Sequence, residues 1–143
     1  MGVCILKRFL CVLIACLMIV PVAFSATVDD LSVYSAVLGG SELINGDVRD
    51  PYVRFIQDDC TITLKVENSE ITLAIVNGSG DKFLSYCAAV LAVFDPDGAT
   101  LSFGQLLTMY LLSPNGKQEG QTSTGLFFFI EPTEGNLTFT IMK

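Results

Sequence analysis

The side chains with which this chain could do chemistry are Asp, Glu, Ser, Tyr and Cys, because it contains no histidine. That absence removes Ser-His and Cys-His nucleophile activation, histidine-based zinc sites and the commonest general base. What remains is a carboxylate pair, or a Ser-Lys or Tyr-based arrangement. Asp29-Asp30 and Asp58-Asp59 are adjacent acids. Neighbours in a strand point to opposite faces, and acids at a helix start are normally caps, so neither pair is spaced as a glycosidase-type dyad. Residues 94–103 resemble an EF-hand calcium loop only faintly. The loop is short, the third acidic ligand is missing, Pro96 intrudes, and Gln105 stands near the place of the bidentate Glu. Asn77-Gly78-Ser79-Gly80-Asp81 lacks both the P-loop lysine and the Rossmann spacing. No catalytic residue, cofactor site or metal site is assigned, and no reaction can be named.

Two of the five cysteines, Cys60 and Cys87, lie beyond the N-terminal segment. That segment reads as an export signal. Lys7 and Arg8 precede an uncharged apolar run over residues 9–24, which Pro21 breaks near its end. Ala23 and Ser25 then take the −3 and −1 positions of a signal-peptidase site, so residues 1–25 are expected to be removed. Retention as an anchor helix is the minor alternative, as is lipidation at Cys16 in the lipobox-like Leu13-Ile14-Ala15-Cys16. The expected location is secreted or periplasmic. In an oxidising compartment an even pair of cysteines predicts a disulfide between Cys60 and Cys87. Cys60 continues the alternation of Ile62, Leu64 and Val66, and Cys87 shares a helix face with Phe83, Val90, Leu91 and Phe94. Asn77-Gly78-Ser79 and Asn136-Leu137-Thr138 are formal glycosylation sequons, relevant only in a eukaryotic secretory pathway.

Two features suit binding better than catalysis. Phe127, Phe128 and Phe129 are consecutive, so a strand there carries aromatics on both faces. If one face packs on helices, the other exposes Phe127 and Phe129 beside Thr138 and Thr140, an apolar patch of the interface kind. The second feature is the polar stretch 114–124, with Lys117 and Glu119 at the centre of a contact loop.

The elements that must position these groups follow from periodicity and punctuation. Residues 27–38 predict a short amphipathic helix with Leu31, Tyr34 and Leu38 on one face, ended by Gly39-Gly40. Residues 39–52 read as a turn-rich connection. Residues 60–67 and 70–76 alternate as a hairpin around Asn68-Ser69, expected to pair Val66 with Ile71, Leu64 with Leu73 and Ile62 with Ile75. A helix over 82–94 carries no charge from Phe83 to Phe94, which predicts burial on most sides. Ser102 and Gln105 read as a capping box, with Leu101 and Leu106 as its hydrophobic staple, opening a helix that Pro114 stops. Its expected apolar stripe is Phe103, Leu106, Leu107, Tyr110 and Leu111. Strands over 126–130 and 137–142 close the chain. The sum is an α+β domain over residues 26–143, an antiparallel sheet of about four strands with two or three helices on one face. This order is similar to that of type III secretion chaperone-like domains; no motif lies behind the likeness, and no function is carried over from it.

Composition narrows the partners. Removing residues 1–25 takes two of the eight basic residues and none of the fifteen acidic ones, leaving a net charge of −9. Such a surface repels phosphate backbones, so nucleic acid is excluded, and no membrane insertion is expected after signal cleavage. The reading is therefore a small exported, non-catalytic binding protein whose partner is another protein. The alternatives are a structural or assembly subunit that uses its C-terminal strand as an edge and, less favoured, a carboxylate-dependent hydrolase.

Overall fold

The computed structural model describes residues 7–8 and 26–143. The signal segment, its cleavage site and Cys16 therefore lie, apart from Lys7 and Arg8, outside the described residues.

Helix α1 spans Val28–Val37, and Thr27 caps it by accepting the Asp30 N–H at 3.2 Å. Leu31, Tyr34 and Leu38 are buried, as the spacing predicts. Strands β1 (Asp47–Arg49) and β2 (Tyr52–Gln57) form a hairpin; β1 falls in the stretch 39–52 expected as connection, and most of β2 in residues to which the sequence assigns no element. Only Phe55 in it is fully buried, so its alternation is too thin to stand out. Strands β3 (Cys60–Glu67) and β4 (Glu70–Gly78) form the expected hairpin, and Asn68 and Ser69 both take the left-handed conformation of a type I′ turn. Glu67 pairs opposite Glu70, and Lys65 and Lys143 reach the two carboxylates at 3.2 and 3.7 Å.

The register of that hairpin differs from expectation. Val66 pairs with Ile71 as predicted, but Leu64 pairs with Ala74 and Ile62 with Val76. Thr72 is the extra residue of a β-bulge, and its hydroxyl donates to the Lys65 carbonyl at 3.4 Å. One inserted residue reverses the facing of everything beyond it. Ala74 and Val76 therefore enter the core, and Leu73 and Ile75 turn to the opposite face.

Helix α2 (Gly80–Phe94) follows, with all twelve residues from Phe83 to Phe94 buried. Helix α3 (Ala99–Leu112) begins three residues before the predicted capping box and takes no side-chain cap. The 3-10 turn Ser113–Asn115 ends it at Pro114. Strands β5 (Gln118–Gln121), β6 (Phe127–Thr133) and β7 (Asn136–Met142) complete the chain.

The result is an α+β fold in which the described residues make three helices and one seven-stranded antiparallel sheet, against the four strands expected. The strand order is β1-β2-β3-β4-β7-β6-β5. The C-terminal strand β7 thus lies inside the sheet, between β4 and β6, and cannot serve as an edge. The true edges are short: β1 has three residues and β5 four. Ile62, Leu64, Ala74, Val76, Phe128, Ile130, Phe139 and Ile141 form the sheet's inner face and share one core with the helices. No described helix is long and apolar enough to cross a membrane.

Candidate functional site

With the inner face packed, alternation sends the intervening residues to an outer face. One row crosses all seven strands in register: Asp47, Arg54, Thr63, Ile75, Thr140, Phe129 and Glu119. Among the described residues no helix covers this face. The structure brings the four expected binding residues together at its β5 end. Phe127 is 65% exposed on an ordered strand, where its apolar area can still be removed from water. Phe129 is half-buried, opposite Glu119 on one side and Thr140 on the other. The Lys117 ammonium stands 4.3 Å from the Phe129 ring centroid and 3.7 Å from the Glu119 carboxylate. A cation over a ring face is electrostatically favoured, so Lys117 both shields Phe129 and neutralises Glu119.

The stretch read as a polar loop is a strand for a tertiary reason. Gln118-Glu119-Gly120-Gln121 has little strand propensity, yet β6 pairs with all four residues. Gln105 of α3 completes the free edge: its amide donates to the Gln121 carbonyl at 2.8 Å and accepts the Gln121 N–H at 3.0 Å. Gln105 thus holds an edge strand rather than closing a capping box. Gly120 is required beneath it, because a β-carbon there would stand 2.7 Å from Phe128 and 2.8 Å from the Met109 sulfur.

Ser102, the other half of the expected box, is buried and bonded to Asp95 at 3.1 Å. Asp95 is itself 1% exposed. Its carboxylate accepts from the Gly98 N–H (3.2 Å), the Ser102 hydroxyl, the Ser123 N–H (2.9 Å) and the Ser123 hydroxyl (2.5 Å). Burial pushes this carboxyl up, but the bonds from Ser123, Ser102 and Gly98 outweigh it and hold it below the ordinary aspartate value. The cluster ties the start of α3 to the loop that leads into Phe127. It is a clamp, and its hydrogen-bonding capacity is filled.

Around the β5 edge, the helix flank is apolar too. Residues 98–116 carry no charge, and Leu101 (65%) and Leu112 (46%) are exposed on α3. The expected stripe is displaced accordingly: Phe103, Leu106 and Met109 face in, and Leu111 faces out. Between α3 and β5 lies a groove of about 710 Å³ whose walls include Leu101, Gly104, Thr108, Leu112 and Gln118.

The remaining candidates are dispersed. Asp58 and Asp59 are the left-handed turn between β2 and β3, and Asp29 and Asp30 lie in the first turn of α1. Asp58 accepts hydrogen bonds from the Tyr86 hydroxyl and from Ser41 (2.9 Å), which hold its carboxyl below the ordinary value. Among the described residues no three Cys, Asp or Glu side chains gather as a metal-binding group. Cys60 and Cys87 are both buried and stand as separate thiols, without the expected disulfide. Burial, then the nearby Asp58 and Asp59, push the Cys60 thiol up to about 11. Burial raises Cys87 well above its ordinary value, and the neighbouring Cys60 acts in the same direction. Of the sequons, Asn77 is engaged within the sheet, donating to the Thr138 hydroxyl at 2.9 Å, and Asn136 is exposed at the β6–β7 turn.

Comparison with family models, with curated proteins and with solved structures finds no match to this chain.

Proposed function

We propose that this chain is a small exported, non-catalytic binding protein of the periplasm, envelope or extracellular space, which holds another protein at the β5 end of its sheet. The observation that carries the reading is the exposed Phe127 beside a cation-covered Phe129, on a sheet face that no helix among the described residues covers. An ordered aromatic at a water-facing position is a common anchor of protein interfaces, since its burial gains area at small entropic cost. The neighbouring Lys117–Glu119 pair supplies the polar rim. The sequence of residues 1–25 supports the compartment.

An assembly subunit built on strand addition finds less support, because β1 is three residues long and Gln105 occupies part of the β5 edge. The hydrolase reading finds less support, because Asp29 and Asp30 lie in the first turn of α1 and Asp58 and Asp59 form the β2–β3 turn.

The test is capture of secreted and envelope proteins from the source by the tagged full-length chain, compared with a Phe127→Ser/Phe129→Ser double variant of confirmed folding. A discrete partner is expected with the wild type and with Ile56→Ser, a control on the same face, and is expected to be lost from the double variant. A partner retained by the double variant would refute the assignment of the face.

A further inference from the structure

Four of the six cations beyond residue 25 lie on or over the outer sheet face: Arg49, Arg54, Lys65 and Lys117. Three of them are neutralised within the chain, Arg49 by Asp47 (3.3 Å), Lys65 by Glu67 (3.2 Å) and Lys117 by Glu119 (3.7 Å). Arg54 has no such partner among the described residues. It pairs in register with Asp47 on one side and Thr63 on the other, but the Asp47 carboxylate is turned to Arg49. Asp47, Arg49, Tyr52, Arg54 and Thr63 together line a cleft of about 240 Å³. Two guanidinium groups thus stand near the Asp47 carboxylate, Arg49 takes it, and that of Arg54 is left beside the Thr63 hydroxyl and the exposed Tyr52 ring.

We propose that this cleft is a second contact of the same binding face and takes a carboxylate side chain of an acidic peptide segment. The inference rests on the protein-binding reading above and adds the chemistry of the partner. A planar guanidinium receives a carboxylate through two parallel hydrogen bonds, and Thr63, in register with Arg54 on the cleft wall, carries a hydroxyl that can give a third. Beside the cleft, Asp47 is paired with Arg49 and Asp50 lies in the turn between Arg49 and Tyr52; acids farther off are screened over about 8 Å at physiological salt, so the directed hydrogen bonds of the Arg54 guanidinium still favour a carboxylate. The cleft on β2 and Phe127 on β6 are four strand spacings apart, about 19 Å. An extended segment crossing the strands spans that distance in about six residues. The partner is thus a segment with an apolar anchor and an acidic side chain about six residues apart.

The experiment is NMR titration of the full-length chain with a blocked glutamate, N-acetyl-glutamate-N-methylamide, and with the blocked glutamine as neutral control. Saturable shifts at the Arg54 side-chain N–H and the Thr63 amide are expected with glutamate alone. Arg54→Gln is expected to weaken the response roughly tenfold or more, and Phe127→Ser to leave it intact. Equal shifts with glutamine, an undiminished response in Arg54→Gln, or tighter saturation by inorganic phosphate than by glutamate would each overturn the proposal. Because the probe does not involve Phe127, loss of partner capture and loss of the glutamate response report separately on the two readings.

Discussion

Replacing Asp95 by Asn tests the clamp that positions the proposed face. Each carboxylate oxygen accepts one backbone N–H, Gly98 at Oδ1 (3.2 Å) and Ser123 at Oδ2 (2.9 Å). Either orientation of an asparagine amide therefore sets its NH₂ group against a backbone donor. A serine hydroxyl can turn round to accept, but a backbone N–H cannot. The variant loses a charge-assisted bond and sets a part-buried backbone donor against an NH₂ group, a combined cost of about 3 kcal/mol. With a urea slope of about 1.5 kcal/mol/M for a domain of this size, the unfolding midpoint should fall by about 2 M. The difference between wild type and variant also has a pH signature. The native carboxyl is held below its unfolded value, so its stabilisation is complete above about pH 4 and is lost as pH falls through the native value. The gap should stay constant from about pH 8 to 5 and narrow in more acidic solution. A midpoint shift under about 0.3 M, or a gap that widens in acid, would refute the reasoning.

Two further outcomes are expected. Gly120→Ala should destabilise by about 1–3 kcal/mol, because a β-carbon 2.7 Å from Phe128 forces that ring or Met109 to move. The measurement is thermal unfolding, and an unchanged midpoint would show that the β5 seat is looser than its geometry. Cys60 and Cys87 should resist iodoacetamide in the native protein at pH 8 and react after denaturation, since both thiols are buried and shifted away from the thiolate. Intact mass of unreduced protein from an oxidising compartment decides the pairing expected from the sequence: a value two mass units low, with no labelling after denaturation, would establish the disulfide.

Elements whose cause is local were legible in the chain. The Leu31, Tyr34, Leu38 face of α1 follows from helical spacing, and the absence of charge from Phe83 to Phe94 anticipates the burial of α2. The β3–β4 hairpin follows from alternation, but its register does not. Leu73 and Ile75 are as apolar as Ala74 and Val76, so the pattern alone cannot say which pair faces the core. The candidate face was legible in part. Phe127, Phe129, Lys117 and Glu119 were identified by type, but Arg54 was not, because residues 39–52 read as connection and the stretch that follows carries too little alternation to mark a strand.

The sequence by itself determined the apolar face of α1, the turn at Asn68-Ser69 and which stretches must leave water, because each depends on neighbours within a few positions. Only the tertiary structure decided the Thr72 bulge, the interior place of β7, the strand made of Gln118–Gln121 and the use of Ser102 on Asp95. Each of these rests on hydrogen bonds between residues far apart in the chain, and whether such a bond forms is settled by what else fills the space.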